Sequence, residues 1–261
     1  MNGAGPRERS FPGTGTGAVR RSAVAHLAWT GLLLGAVAFG MWVIGVSSAF
    51  ALGTFAIYLL LTAYVAFRVD GHAPNARFGV ANRLTLLRGA VACLLGGLVA
   101  VAPDAGPQML WTATAIGVAS LLLDGIDGFI ARRRGEASHF GAAFDLETDA
   151  LLILLLSLLM YRLDRAGAWV LAIGLMRYAF VLAGRIWPAL AQRLPESRRR
   201  KIVCGVQVAV LLACIPPALP PGVSWAMLAL ALMALAASFA IDVAWLVRRA
   251  TPAGQRPLAS G

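Results

Sequence analysis

The chain has 261 residues; 59% are apolar and 13% charged, and 28 more are glycine. Soluble domains average about 45–50% apolar, glycine included, and about 25% charged. The bias excludes a disordered chain, a disulfide scaffold and an ordinary soluble enzyme, and leaves a polytopic helical membrane protein.

The balance of 23 basic and 12 acidic residues gives a formal charge of +11, and Lys201 is the only lysine. The basic residues sit at the ends of apolar segments. They therefore point to membrane orientation and anionic lipid headgroups, with no nucleic acid as partner. Cys93, Cys204 and Cys214 lie inside apolar runs and read as packing residues, without a disulfide or metal spacing.

In chain order, residues 1–24 read as a mobile, basic cytoplasmic tail. Eight apolar segments follow, at about 25–46, 48–67, 82–102, 110–131, 142–161, 166–187, 201–216 and 223–247. The first is too long for a signal-peptide core, which runs to roughly 15 residues, so a retained span is expected. Residues 250–261 form a second cytoplasmic tail. With eight spans and the N-terminus inside, every basic residue but Arg162, Arg165 and Arg177 falls on the cytoplasmic side. That split fits the positive-inside rule, with both termini cytoplasmic. The arginine, alanine and leucine bias suggests a bacterial chain of the inner membrane.

The chemistry concentrates where the fourth segment meets the fifth. Asp124 and Asp127 are three residues apart on the fourth; Asp145 and Asp149 are four apart on the fifth. Each pair shares a helical face, and a short connection makes the two helices expected antiparallel neighbours. Four carboxylates would thus converge at one membrane–cytosol boundary. An Asp near the centre of a span costs roughly 2.5–3.5 kcal/mol, so the group needs compensation. Oxygen-only donors favour Mg²⁺, Mn²⁺ or Ca²⁺, and four Asp suffice for two such ions. Gly128, Ala131 and Gly141 keep the facing surfaces low, and Arg132 is placed to bind phosphate. Glu147 lies about 200° round the helix from Asp145 and is expected to face elsewhere. His139 is expected in the connecting loop, and Asp242 in the last span needs a partner.

These residues read D-x2-D-G-x2-A-R-x8-G-x3-D-x3-D over 124–149, which resembles the signature of the CDP-alcohol phosphatidyltransferase family at every fixed position. A second element, Asn82-x2-Thr85-x2-Arg88, resembles the motif that opens the family's first core helix. The resemblance implies a six-helix catalytic core over 78–249, preceded by two additional transmembrane helices at 25–67. It implies that Asp124, Asp127, Asp145 and Asp149 bind two divalent cations, Mg²⁺ or Mn²⁺, and that Asp149 is also the general base. Gly128, Ala131, Arg132 and Gly141, with Asn82, Thr85 and Arg88, would bind the CDP moiety. The implied reaction moves the phosphatidyl group of CDP-diacylglycerol to an alcohol and releases CMP, in a homodimer. Arg177, Arg185 and Lys201 could bind an anionic acceptor. This is similar to phosphatidylglycerophosphate synthases, which use glycerol 3-phosphate. Their Arg-Glu pair reads Arg177-Tyr178 here, so inositol phosphate, serine or an unusual alcohol stay open. A cation or proton transporter using the same carboxylates is the alternative from another class.

Overall fold

A computed structural model describes residues 14–72, 78–134, 138–192, 195 and 197–250, with no side chain described for 14–16, 124–134, 191 and 250. The described residues form eight α-helices and no strand: α1 (Thr14–Val43), α2 (Ala49–Arg68), α3 (Val80–Val101), α4 (Pro107–Arg134), α5 (His139–Arg162), α6 (Leu171–Ile186), α7 (Arg198–Ala213) and α8 (Pro221–Ala250). Single-turn 3₁₀ segments sit between several of them, including Val69–His72 after α2 and Ala168–Val170 before α6.

Among the described residues, five segments are long and apolar enough to cross a membrane: Gly17–Val43, Ala49–His72, Val80–Asp104, Ala168–Ile186 and Pro221–Arg249. The first part of α4, Pro107–Leu123, is a shorter apolar helix. Charge and length set the remaining helices apart. α5 carries Asp145, Glu147 and Asp149 in its first half, and α7 is 16 residues long and opens on Arg198 to Lys201. An all-helical polytopic membrane protein is the architecture.

Of the apolar window of α3, 67% is buried inside the protein, against 17–22% for the other four. α3 is therefore the central helix, and the others present most of their apolar surface outward, as lipid-facing helices do. α2, α4 and α5 pack along α3; α6 packs on α5, and α7 on α8. Glycines allow the closest of these approaches. A Cβ on Gly53 would stand 2.5 Å from the Gly96 carbonyl oxygen, and one on Gly97 would stand 2.7 Å from that of Phe50. Contact at backbone distance is how small residues let helices associate in lipid. Gly79, just before α3, has φ +79°, a conformation natural only to glycine.

The expected tail over residues 1–24 needs correction, because the first helix starts at Thr14. Val19 and Ala23 are buried there. Arg20 donates two hydrogen bonds to Asp70, at 2.7 and 2.5 Å, and Ser22 Oγ accepts from the Phe78 N–H at 3.2 Å. These contacts tie the amphiphilic start of α1 to the ends of its neighbours and extend the helix beyond its apolar run. At the other end α8 runs to Ala250, and residues 251–261 lie outside the described residues.

Candidate active site

The candidate site is built on the first turns of α3 and α5. α5 starts because Ser138 caps it: Ser138 is extended, and its Oγ accepts the Gly141 N–H at 3.0 Å. From that cap, Asp145 and Asp149 fall one turn apart on a single face. α3 meets that face with Arg88. Its guanidinium is buried at 3% exposure and reaches both carboxylates, donating from Nη1 to Asp145 Oδ1 at 2.6 Å and from Nη2 to Asp149 Oδ1. Asp145 is 39% exposed and Asp149 25%, so the carboxylates stand between a buried cation and an open space. A rigid fork of donors holds two acceptors in one geometry, which the point charge of a lysine does not.

Three aromatic rings back this face. Phe78, Phe140 and Phe144 are buried; Phe140 stacks on Phe144 at 5.5 Å, and Phe78 lies 6.1 and 6.3 Å from the two. Asn82 on α3 donates to the Phe78 carbonyl oxygen at 2.5 Å, and Thr85 donates to that of Ala81 at 3.2 Å. Asn82, Thr85 and Arg88 are all buried, on the α3 face turned inward. Gly141 faces Asn82 directly, since a Cβ there would stand 2.8 Å from Asn82 Oδ1. A side chain at 141 would press on Asn82, so glycine suits the approach of α5 to α3.

Of the residues expected at the site, the structure brings together Asn82, Arg88, Gly141, Asp145 and Asp149, with Thr85 on the same stretch of α3. Asp124, Asp127, Gly128, Ala131 and Arg132 belong to the last turns of α4, and their side chains lie outside the described residues. Arg177 on α6 donates to Glu147 at 2.6 Å instead of joining the Arg88 cluster. Arg185, in the last turn of α6, and Lys201, in the first turn of α7, are exposed. His139, expected in a loop, is the first residue of α5, because the Ser138 cap starts the helix there. Asp242 finds its partners in Arg199 and Arg200, and Arg199 also donates to Ser238 Oγ at 2.8 Å. Cys93 and Cys214 are buried, as packing residues are, and Cys204 is partly buried.

Sequence reasoning missed two residues, Ser138 and His72, and the partner of Glu147. Glu147 is displaced from the Asp145 face as the helical period requires, yet its partner on α6 could be seen only in three dimensions. Ser138 carried a readable signal, a serine just before a helix rich in apolar residues. His72 carried none: it is a single histidine between two segments, and only the fold places its Nδ1 2.7 Å from Ser138 Oγ.

Among the described residues no cluster of three or more acidic, histidine or cysteine side chains is placed to hold a metal. Asp145 and Asp149 nevertheless fit one half of a cation site. They supply oxygen donors only, one turn apart, partly exposed, and fixed by a common guanidinium.

The family model of CDP-alcohol phosphatidyltransferase matches residues 78–241, more than half of the chain. The matched stretch starts just before α3 and takes in Asn82, Arg88, Gly141, Asp145 and Asp149. Neither the curated proteins nor the solved structures give a match.

Proposed function

Because the chain belongs to the CDP-alcohol phosphatidyltransferase family, we propose that it transfers the phosphatidyl group of CDP-diacylglycerol to the hydroxyl of glycerol 3-phosphate. The bond from phosphorus to the CMP oxygen breaks, one to the acceptor oxygen forms, and the hydroxyl proton leaves to a base. The observation that carries this reading is the Arg88 fork on Asp145 and Asp149. It joins the motif Asn82-x2-Thr85-x2-Arg88 to Asp145 and Asp149, the second half of the aspartate signature.

Asp149 is the base. It is open enough to reach an acceptor, and Arg88 fixes its orientation. Asn82 and Gly141, which face each other where α5 approaches α3, stand at the edge of the cytidine diphosphate site. Asp124, Asp127, Asp145 and Asp149 would hold two divalent cations, Mg²⁺ or Mn²⁺. When bound, these neutralise the diphosphate and the charge developing on CMP. An anionic acceptor suits the cationic end of the helices. Arg177 shares its charge with Glu147, so Arg185 and Lys201 supply the net attraction. The protein sits in a bacterial inner membrane with this end cytoplasmic, which sets acyl chains in lipid and nucleotide in water.

Purified protein given labelled CDP-diacylglycerol, Mg²⁺ and a panel of alcohols tests the reading by mass spectrometry of the lipid product. Phosphatidylglycerophosphate is expected. A product from inositol phosphate or serine alone would replace the acceptor and keep the reaction class. No lipid product with any alcohol would remove the reaction.

A further inference from the structure

The two helices that precede the family-matched stretch do more than pack against it. The 3₁₀ turn Val69–His72 that ends α2 brings His72 into the first turns of α3 and α5. Its ring is 1% exposed. Nδ1 lies 2.7 Å from Ser138 Oγ, the same oxygen that accepts the Gly141 N–H at 3.0 Å. Asn82 Nδ2 lies 3.5 Å from both ring nitrogens. The ring stands edge-on to Phe140 at 6.0 Å. One histidine therefore touches the cap of α5, the first motif residue of α3 and the aromatic backing of the site. It lies outside residues 78–241.

We propose that His72 is a positioning residue for the nucleotide of the donor, supplied by the two N-terminal helices. It fixes Ser138, and Ser138 fixes the Gly141 amide. Gly141 faces Asn82, since a Cβ there would stand 2.8 Å from Asn82 Oδ1. A shift of the cap moves the α5 backbone against Asn82 and changes the edge that receives the cytidine diphosphate. The inference rests on the proposed function for the identity of that ligand.

The test is the affinity of the full-length protein for CDP in the presence of Mg²⁺, read by calorimetry, beside thermal unfolding. His72→Phe keeps the ring against Phe140 and removes the nitrogens. His72→Asn keeps a polar group near Nδ1 and removes the ring. The expected result is a loss of about tenfold in CDP affinity for His72→Phe, with most of it restored in His72→Asn, the size of one buried hydrogen bond. Should His72→Phe fail to fold, Ser138→Ala removes the same hydrogen bond from the other side and is expected to weaken CDP to a similar extent. CDP affinity within about twofold of wild type in whichever of these two folds, even with a lowered melting temperature, would overturn the inference. Wild-type protein that binds CDP in a His72-dependent way but releases no CMP from CDP-diacylglycerol would remove the transferase reading and leave His72 its role. Wild-type protein that binds no CDP would overturn both.

Discussion

At Arg88 one guanidinium on α3 faces two carboxylates on α5. The pairing orients Asp145 and Asp149 and offsets the repulsion between them. Removing the cation would leave two like charges one turn apart without the fork that orients them. Arg88→Lys is the sharper test, because it keeps the charge and loses the fork. The expected outcome is a melting temperature close to wild type and a fall in CMP release of about 10–100-fold, the range for groups that orient ligands. Unchanged turnover in Arg88→Lys would show that the fork is not needed. The spacing of Asp145 and Asp149 was legible in the sequence, because helical periodicity alone puts them on one face. Their shared partner was not: Arg88 lies 57 and 61 residues away, and only the packing of α3 on α5 selects it. The same holds for Arg177 and Glu147, one on α6 and the other on α5.

At the level of elements, α3 is held by neighbours that approach it at backbone distance. A methyl group on Gly97 would meet Thr54 Oγ1 and the Phe50 carbonyl oxygen, and that backbone cannot give way as a side chain would. Gly97→Ala is expected to destabilise by about 1–3 kcal/mol, the usual cost of overpacking. Gly205 in α7 has open space where a methyl group would sit, with nothing within 4 Å. Gly205→Ala is therefore expected to stabilise by about 0.5–1 kcal/mol through helix propensity. Thermal or denaturant unfolding in one detergent compares the two, and equal shifts would contradict the close approach of α2 and α3. Composition made the helical class readable, and the apolar runs located the eight helices of the described residues, five of which are long and apolar enough to span. Helix ends were harder. α1 begins well before its apolar run because Arg20 and Ser22 find partners on other segments, and periodicity carries no sign of such contacts. α5 begins at His139 because of the Ser138 side chain.

Across the whole molecule, the six helices from α3 to α8 hold the family-matched stretch, and α1 and α2 close over one side of α3. The N-terminal pair shares a core with the site: Leu34, Leu61 and Val65 pack in the same cluster as Phe78, Phe140 and Phe144. Hydropathy revealed two extra spans but gave them no purpose; in the structure the buried His72 at their end meets the Ser138 cap of α5. The proposed reaction rests on Asp145 and Asp149, which Arg88 holds partly exposed. The most direct measurement is CMP released from CDP-diacylglycerol by the purified protein with Mg²⁺ or Mn²⁺, alongside Asp149→Asn. Metal-dependent release that falls by at least about a hundredfold in the variant is expected for a general base that also binds metal. Wild-type turnover in Asp149→Asn, or release indifferent to removal of divalent cations, would contradict it.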